Sequence, residues 1–272
     1  MCALSGGPDS AALTALAARR RLDVTAVHVN HGLRPGADDD ARTAERIASR
    51  LGVAFRCERA DLVDGPNLEA RARAARHDLL GPTALTGHTA DDQAETLLLA
   101  LLRGSGATGL AAMRPGGRHP ILALRRTDTL TVCDALDLAP AGDPSNHDPR
   151  FRRNRVRHEI LPLLHHVAER DVVPLLLRTA DHLRDDDDLL QAMADELDPT
   201  DAPAVAAAPP PVARRALRRW LTVEGYPPDS AAIERVLAVA SGESSACEVA
   251  GGRRVTRSRQ RLSHFPSEPV TN

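Results

Sequence analysis

A glycine-rich hexapeptide, Ser-Gly-Gly-Pro-Asp-Ser, follows a short apolar start of the chain and precedes an alanine- and leucine-rich stretch typical of a helix. Two adjacent glycines let the backbone approach a phosphate closely, and the free N–H groups at the start of the following helix point at it. Proline suits the first helical turn, where its missing N–H costs nothing. The hexapeptide therefore predicts a nucleotide-phosphate site, with an ordinary capped strand-to-helix turn as the alternative. Its residues are Ser5, Gly6, Gly7, Pro8, Asp9 and Ser10.

Asp9 is the unusual residue of this loop, because a carboxylate beside a phosphate is repulsive. It suits the loop if a divalent cation such as Mg²⁺ lies between the two anions, or if it only caps the helix. The loop is not a Walker A motif, since no Gly-Lys-Ser/Thr follows and the whole chain contains no lysine.

A second group of charged residues opens a predicted helix near residue 90. Asp91, Asp92 and Glu95 flank the apolar stripe of this helix at its N-terminal end, and His88 precedes it. Acids favour helix N-termini because of the helix dipole, which accounts for one or two of them. Three carboxylates and a histidine are better explained by a bound cation, either Mg²⁺ on nucleotide phosphates, a substrate ammonium, or both. The stripe follows the i, i+3, i+4, i+7, i+8 rule and comprises Ala94, Leu97, Leu98, Leu101 and Leu102.

Arginines are concentrated in three places. Glu69, Arg73 and Arg76 share one face of a predicted helix, where spacing alone favours a surface ion pair over contact with a polyphosphate or an α-carboxylate. Five arginines lie within residues 253–261 without one acid. Such local basic patches engage phosphates even on a chain of net charge −2, and a solvated surface is an equally good interpretation. The third group is Arg152, Arg153, Arg155 and Arg157.

These residues must be positioned by a fold in which strands and helices alternate. Strand signals at residues 23–30, 53–57 and 83–86 alternate with helix signals at residues 39–51, 67–80 and 90–102. The alternation predicts an α/β fold with a doubly wound, Rossmann-like parallel sheet, followed by a smaller, mainly helical domain. Ligands of such folds lie at the carboxyl ends of the strands, so the glycine loop and His88 are expected to converge.

The pattern changes near residue 150. Helical patterns at residues 156–170, 174–197 and 212–224 replace the strand signals, and the Pro/Ala-rich stretch 198–211 predicts a linker. A helix at residues 231–239 and a hairpin around Gly251-Gly252 follow. We predict a catalytic domain at residues 1–150, a helical linker region at residues 151–200 and a small substrate-binding domain at residues 201–272.

Composition indicates a globular chain. Its 272 residues, 42% of them hydrophobic, are enough for about two domains with buried cores. No stretch approaches the ~20 apolar residues of a membrane span, and no signal segment precedes the first motif. The four cysteines stand singly, which argues against a disulfide framework, structural zinc and an iron–sulfur cluster. We therefore predict a cytoplasmic protein with no membrane partner.

Taken together, these stretches resemble the tRNA(Ile)-lysidine synthetase family of the PP-loop N-type ATP pyrophosphatases. The glycine loop is shared by the whole superfamily, whereas the Asp-Asp-Gln-Ala-Glu-Thr block and the Asn-x-x-Arg-x-x-x-Leu-Pro segment point to this family more narrowly. The resemblance is strong to about residue 170 and weaker to about residue 262, and it implies a fold of the adenine nucleotide alpha hydrolase type. The matching segments are residues 5–10, 27–34, 67–76, 88–96, 101–106, 143–146 and 153–162.

The resemblance implies an enzyme that uses ATP and Mg²⁺ to adenylate the wobble cytidine of the tRNA(Ile) with a CAU anticodon. It then joins free L-lysine to this base and releases AMP and pyrophosphate. Carried over by motif position, the hexapeptide would hold the ATP phosphates and Asp9 would hold Mg²⁺. Asp92 and Glu95 would bind the lysine ammonium and help to deprotonate it, while Arg73 and His88 would stabilise charge on the phosphates and the adenylate.

The same resemblance assigns tRNA recognition to the four arginines of residues 152–157 and to the terminal domain. It leaves the oligomeric state open, with a homodimer as one option. One alternative is another PP-loop tRNA-modifying enzyme, although a cytidine thiolase would need paired cysteines. The other is a non-catalytic, nucleotide-dependent RNA-binding protein. Because the chain starts four residues before the loop, we expect a short first strand or one that continues upstream.

Overall fold

The computed structural model describes residues 1–30, 32, 36–60, 68–142, 148–223 and 225–266. Several parts of the motifs discussed above lie outside the described residues, namely His31, residues 33–34, Asn67 and residues 143–146, as do the side chains of Glu69 and Arg73. The chain divides into two compact units, Met1–Leu183 and Arg184–Asn272. In the described part of the chain, no helix is both long enough and apolar enough to cross a membrane.

A parallel sheet forms the centre of the first unit. Its strands are β1 (Cys2–Ala3), β2 (Thr25–Asn30) and β3 (Ala54–Arg59), hydrogen-bonded in the order β1-β2-β3. Leu85 makes a parallel bridge to Cys2, so β1 lies between β2 and this bridge. The predicted parallel sheet of an α/β fold is confirmed, while the strand expected at residues 83–86 is reduced to the bridge.

Helices follow the strands of the first unit. They are α1 (Pro8–Arg19), α2 (Ala37–Leu51), α3 (Leu68–Leu80), α4 (Ala90–Leu102), α5 (Ala107–Leu110) and α6 (Arg126–Ala135). In α1, Ala11, Ala12 and Ala15 are fully buried, because small side chains let this helix lie close to the sheet. Helix α6, which the sequence patterns did not predict, packs against α1 and so becomes a neighbour of the glycine loop.

Helix α4 shares an apolar core with helical segments from residue 152 onward. These are α7 (Arg152–Arg155), a π-helical segment (Val156–Ile160), α8 (Leu161–Ala168) and α9 (Val173–Glu196). Leu97 and Leu98 are buried there against Val156. The prediction that Leu101 and Leu102 belong to the same buried stripe is wrong: they are 57% and 66% exposed, because the shared core ends at Leu98.

The second unit has an apolar core between helices and an antiparallel sheet. Its elements, after the last part of α9, are α10 (Ala202–Ala207), α11 (Pro210–Leu221), α12 (Ser230–Ser241), β4 (Ala246–Val249), β5 (Arg253–Ser258) and β6 (Arg261–Pro266). Leu217, Ile233 and Val255 meet in this core with almost no exposed surface. The predicted hairpin around Gly251-Gly252 connects β4 and β5 and is confirmed.

The stretch at residues 198–211 is not the linker that its Pro/Ala content predicts. The Asp201 side chain accepts a hydrogen bond from the Ala204 N–H (3.0 Å) and thereby caps α10. Ala202 and Val205 are buried in the core of the second unit. Alanine favours a helix, and proline is tolerated in the first helical turn, so the same composition forms a packed helix here.

Candidate active site

The glycine loop turns the chain from β1 into α1. Gly6 has a φ of +94°, in the left-handed region that favours glycine, and a Cβ there would lie 3.3 Å from the Asp40 carbonyl oxygen. The Ser10 hydroxyl donates to the Gly7 carbonyl (2.9 Å) and accepts from the Ser5 N–H (3.1 Å). No described side chain caps the start of α1. Its first-turn N–H groups therefore keep the arrangement that an anion-binding helix start requires.

The segment that leads into α4 lies directly against this loop. A Cβ on Gly87 would be 2.7 Å from the Asp9 carbonyl oxygen and 2.8 Å from the Ser10 nitrogen, so only glycine fits where the two segments meet. This close approach brings the start of α4 beside the glycine loop, although the two are far apart in the sequence.

Asp9 does not cap α1. Its carboxylate accepts hydrogen bonds from the Thr129 hydroxyl and from Arg126 Nε (3.3 Å), both on α6. Burial raises the pKa of Asp9, and the contacts with Thr129 and Arg126 act in the opposite direction because they favour the ionised form. The side chain therefore faces the space between α1, α4 and α6.

Asp92 and Glu95 lie one turn apart on α4 and are almost completely buried, at 7% and 0% exposure. Asp92 Oδ2 accepts from both the N–H (2.9 Å) and the hydroxyl (3.0 Å) of Thr89, which fixes the carboxylate in the first helical turn. Asp91 is separate from this pair, because it accepts from Arg125 Nη2 (2.9 Å) and from the Arg126 N–H (2.7 Å).

Two arginines of residues 152–157 neutralise these buried acids. Arg153 donates to Glu95 Oε2 (2.6 Å) and to Asp92 Oδ1 (2.9 Å), and Arg157 donates to Glu95 Oε1 (2.6 Å). Burial acts to raise the pKa of Asp92, but Arg153 and Arg126 hold it below its usual value. Asp92 is therefore ionised at neutral pH.

A third guanidinium, that of Arg126, lies among all three acids. Its Nη2 is 3.2 Å from Asp9 Oδ2 and 3.4 Å from Asp92 Oδ1, and its Nη1 is 4.0 Å from Glu95 Oε1. We call Asp9, Asp92 and Glu95 the carboxylate cluster. The Arg126 side chain thus connects the start of α1, next to the glycine loop, with α4.

His88 lies beside the cluster in a small polar group. Its Nδ1 is 2.8 Å from the Thr86 hydroxyl, and His119 Nδ1 is 2.7 Å from the same oxygen. Burial lowers the pKa of His88 from 6.5 to about 4, with Asp92 acting to raise it and His119 to lower it. A neutral imidazole carries one N–H, so His88 can donate to an oxyanion without adding charge.

A divalent ion at Asp9 would have few protein ligands. Within the described residues, no group of three or more His, Cys, Asp or Glu side chains is arranged to hold a metal ion. Mg²⁺, however, commonly keeps several waters and binds through one or two carboxylates together with substrate phosphates. Asp9, at the start of α1 beside the glycine loop, fits this mode of binding and does not fit an all-protein metal cage.

The structure brings most of the predicted site residues together. Asp9, Asp92 and Glu95 meet at Arg126, and His88 lies near Asp92, whereas the side chain of Arg73 lies outside the described residues. Of the four arginines predicted to bind RNA, Arg153 and Arg157 contact the acids. The other two, Arg152 and Arg155, are exposed.

Three residues that form hydrogen bonds at this site were not predicted from the sequence. These are Arg126, Thr129 and His119. The sequence did contain a signal for the helix that carries Arg126 and Thr129. Asp128 lies between them, and an acid is common in the first turn of a helix. Nothing in the sequence indicated that this helix would lie against the glycine loop.

Two known domain families match this chain. The PP-loop domain family matches residues 1–164, and the TilS substrate binding domain matches residues 201–263. The structure of a U34-tRNA thiolase from Methanococcus maripaludis with its [4Fe-4S] cluster superposes with a TM-score of 0.55, over 67% of this chain and 70% of that chain. At 16% identity this likeness concerns the fold alone. Residues 1–164, most of the first unit, therefore form a PP-loop domain.

Curated relatives identify the family within this class. The tRNA(Ile)-lysidine synthase of Mycolicibacterium paratuberculosis is 46% identical over 239 residues, covering 82% of this chain and 74% of that protein. That of Nocardia farcinica is 44% identical, covering 82% of this chain and 75% of that protein. The chain belongs to the tRNA(Ile)-lysidine synthase family, and the resemblance noted in the sequence is confirmed.

Proposed function

We propose that this chain catalyses the ATP-dependent joining of L-lysine to the wobble cytidine of the tRNA(Ile) with a CAU anticodon, releasing AMP and pyrophosphate. Its membership of the family supports the reaction. The observation that carries the assignment to particular residues is the convergence of Asp9, from the phosphate loop, with Asp92 and Glu95, from α4, around Arg126.

In the first step, the carbonyl oxygen of the cytosine attacks the α-phosphorus of ATP. A bond forms between this oxygen and the α-phosphorus, and the bond from the α-phosphorus to the bridging oxygen breaks with release of pyrophosphate. The glycine loop and the N–H groups of α1 hold the phosphates. Asp9 would be the protein ligand of a magnesium ion, which when bound neutralises phosphate charge. Neutral His88 donates to a phosphate oxygen.

In the second step, the ε-amine of lysine attacks the activated ring carbon, and AMP leaves with the carbonyl oxygen. An ammonium is not nucleophilic, so it must first lose a proton. Asp92 is ionised and has a lowered pKa, so it binds an ammonium well and holds a proton weakly. We therefore assign Asp92, with Glu95 behind it, to binding the ammonium and passing its proton to solvent.

For tRNA, we assign the contacts to exposed arginines and to the C-terminal region. Arg152 and Arg155 extend from α7 into solvent, although Arg155 also pairs with Glu159 (3.0 Å). Residues 1–150 would hold the catalytic domain, residues 151–200 the helical linker region and residues 201–272 a small tRNA-binding domain. Phosphate contacts of this kind position a tRNA, whereas selection of the base takes place at the active site.

The test is incorporation of radiolabelled lysine into an unmodified tRNA(Ile) transcript with a CAU anticodon, with Mg²⁺ and ATP present. Controls omit ATP or substitute the methionine tRNA, which shares the anticodon sequence. We expect labelling of the isoleucine transcript alone, with one AMP formed for each lysine joined. The D9N variant should form neither product. D137N, which changes an aspartate whose side chain is 89% exposed, should match the unaltered chain.

Two results would contradict this proposal. ATP-dependent AMP formation without lysine incorporation would mean a PP-loop enzyme with another acceptor. Salt-dependent tRNA binding without AMP formation would mean a non-catalytic RNA-binding protein. Of the other PP-loop reactions, thiolation of a tRNA base is less favoured. The four cysteines are free in the structure and lie singly along the chain, whereas a thiolase would need paired cysteines.

A further inference from the structure

Arg126 has contacts that neither Arg153 nor Arg157 makes. It is the first residue of α6, and its N–H is held by Asp91 (2.7 Å), so its backbone has a fixed position at the edge of the site. Its side chain is 27% exposed and reaches from Asp9 on one side to Asp92 and Glu95 on the other. Arg126 therefore contacts both the acid at which the divalent ion is expected, Asp9, and the acids at which the lysine ammonium is expected, Asp92 and Glu95.

Among the described residues, the carboxylate cluster and the three guanidinium groups that contact it have equal and opposite charge. The carboxylate cluster has three negative charges, and Arg126, Arg153 and Arg157 have three positive charges. Arg153 and Arg157 are held tightly on Glu95, with N–O distances of 2.6 Å. The Arg126 contacts are longer, at 3.2 to 4.0 Å, and are shared among three acids. Longer and divided contacts are the weaker ones, so Arg126 is the guanidinium that leaves most easily.

We propose that Arg126 is a positioning residue. In the absence of substrates its guanidinium is the counter-ion of the carboxylate cluster, and it is displaced from these carboxylates when other cations bind to them. The identity of one such cation, the lysine ammonium at Asp92 and Glu95, rests on the proposed function. The other is the divalent ion at Asp9. When released, the Arg126 guanidinium lies beside the glycine loop, where it pairs with the phosphates that arrive with the divalent ion. Cation entry on one side thus loosens the same side chain that occupies the other.

The test compares thermal unfolding of R126Q with that of R125Q and of the unaltered chain, in titrations with MgCl₂ and separately with L-lysine. Arg125 is a matched control: its side chain is 31% exposed and pairs with Asp91 and Asp171, outside the carboxylate cluster. Without added cations, both variants should unfold at a lower temperature than the unaltered chain. Added MgCl₂ should raise the midpoint of R126Q more than that of the other two proteins.

The concentration of MgCl₂ or lysine that gives half of this rise should be about three- to tenfold lower in R126Q, because the cation no longer competes with a guanidinium. R125Q should respond like the unaltered chain. R126K keeps a positive charge but cannot reach three carboxylates at once, so it should show the same change at smaller size. It also keeps the experiment informative if R126Q does not fold.

Equal cation responses in R126Q, R126K and the unaltered chain would overturn the proposal and leave Arg126 with a purely structural role. The measurement contains no ATP and no tRNA. A chain that fails to make lysidine can therefore still show the magnesium difference, and a chain that makes lysidine can still lack it. Failure of the proposed function and failure of this inference are thus distinguishable.

Discussion

The arginines of residues 152–157 and those of residues 253–261 have different partners in the structure. In the first group, the helical arginine segment, Arg153 and Arg157 point at buried acids, with Glu95 accepting from both at 2.6 Å. In the second group, the strand arginine segment, Arg253 donates to the Leu221 carbonyl (2.7 Å). Arg257 donates to the Ala240 carbonyl (2.7 Å).

Periodicity accounts for this difference. Arg153 and Arg157 are four residues apart in a helical segment and so lie on one face, which is turned toward α4. On β5, Arg253 and Arg257 flank the buried Val255 on one face of the strand, while Arg254 is exposed on the other. The carbonyls that accept from the strand arginines lie in the last turns of α11 and α12, where a helix has unsatisfied acceptors and negative partial charge. Arginine runs of similar appearance therefore neutralise buried acids in one unit and stabilise helix ends in the other.

The largest effect is expected when the acid that the helical arginine segment neutralises is removed. E95Q should lower the free energy of unfolding by about 3–5 kcal/mol, because it leaves two guanidinium groups beside an uncharged, fully buried side chain. The control is E159Q, which breaks the Arg155–Glu159 pair, whose side chains are 58% and 49% exposed; its effect should be much smaller, because water screens an exposed ion pair. Urea unfolding measures both. Similar losses would mean that burial does not distinguish the two pairs.

A second test separates the faces of the helical arginine segment by activity. R153Q should lower kcat/KM for lysine joining by about 100-fold, the effect expected when a preorganised charge is lost from a reacting centre. R152Q changes an exposed arginine of the same helix and should reduce kcat/KM only through weaker tRNA binding. Steady-state labelling at saturating tRNA measures the difference. A defect in R153Q that saturating tRNA fully restores would place Arg153 among the tRNA contacts.

The third test uses the histidine beside each segment. The pKa of His88 is lowered by burial from 6.5 to about 4, so below pH 6.5 the unfolded chain binds a proton that the folded chain does not. Stability should therefore fall as the pH drops from 6.5 to about 4. The pKa of His264, near Arg253, is also lowered by burial, but this ring is less deeply buried.

Urea unfolding at several pH values in this window gives the slope for each variant. H88Q should remove the larger part of the pH dependence, and H264Q a smaller part. An unchanged slope in H88Q would show that the pKa of His88 is the same in the folded and the unfolded chain, contrary to the lowered pKa on which this test depends.

The smallest effect is expected within the strand arginine segment. R257Q removes the hydrogen bond to the end of α12 and should cost about 1 kcal/mol in unfolding free energy. R254Q, on the exposed face, should leave stability unchanged and reduce the slope of log affinity for tRNA against log salt by about 1. Urea unfolding and a tRNA-binding titration over a range of KCl concentrations measure the two. An unchanged slope in R254Q would remove this face from the tRNA contacts.

Local patterns predicted much of the first unit. The glycine loop, helix α1 and the parallel strand at Thr25–Asn30 follow from glycine positions and runs of apolar residues, and these are short-range signals. The linker predicted at residues 198–211 was wrong, because burial of Ala202 and Val205 depends on a core assembled from distant helices and strands. Leu101 and Leu102 were wrongly predicted to be buried, because periodicity identifies a face of a helix but not how far its neighbours extend.

The sequence by itself determined the family, the turn at the glycine loop and most strands and helices of the first unit, since each of these depends on residues close together along the chain. Only the tertiary structure decided the partner of each charge. The Arg126 guanidinium meets Asp9 across 117 positions, and Arg153 meets Glu95 across 58. An arginine looks the same in a sequence whether its side chain faces water, a backbone carbonyl or a carboxylate. Its role is set by which groups folding brings within hydrogen-bond distance and removes from water, and this is a property of packed elements rather than of any one segment.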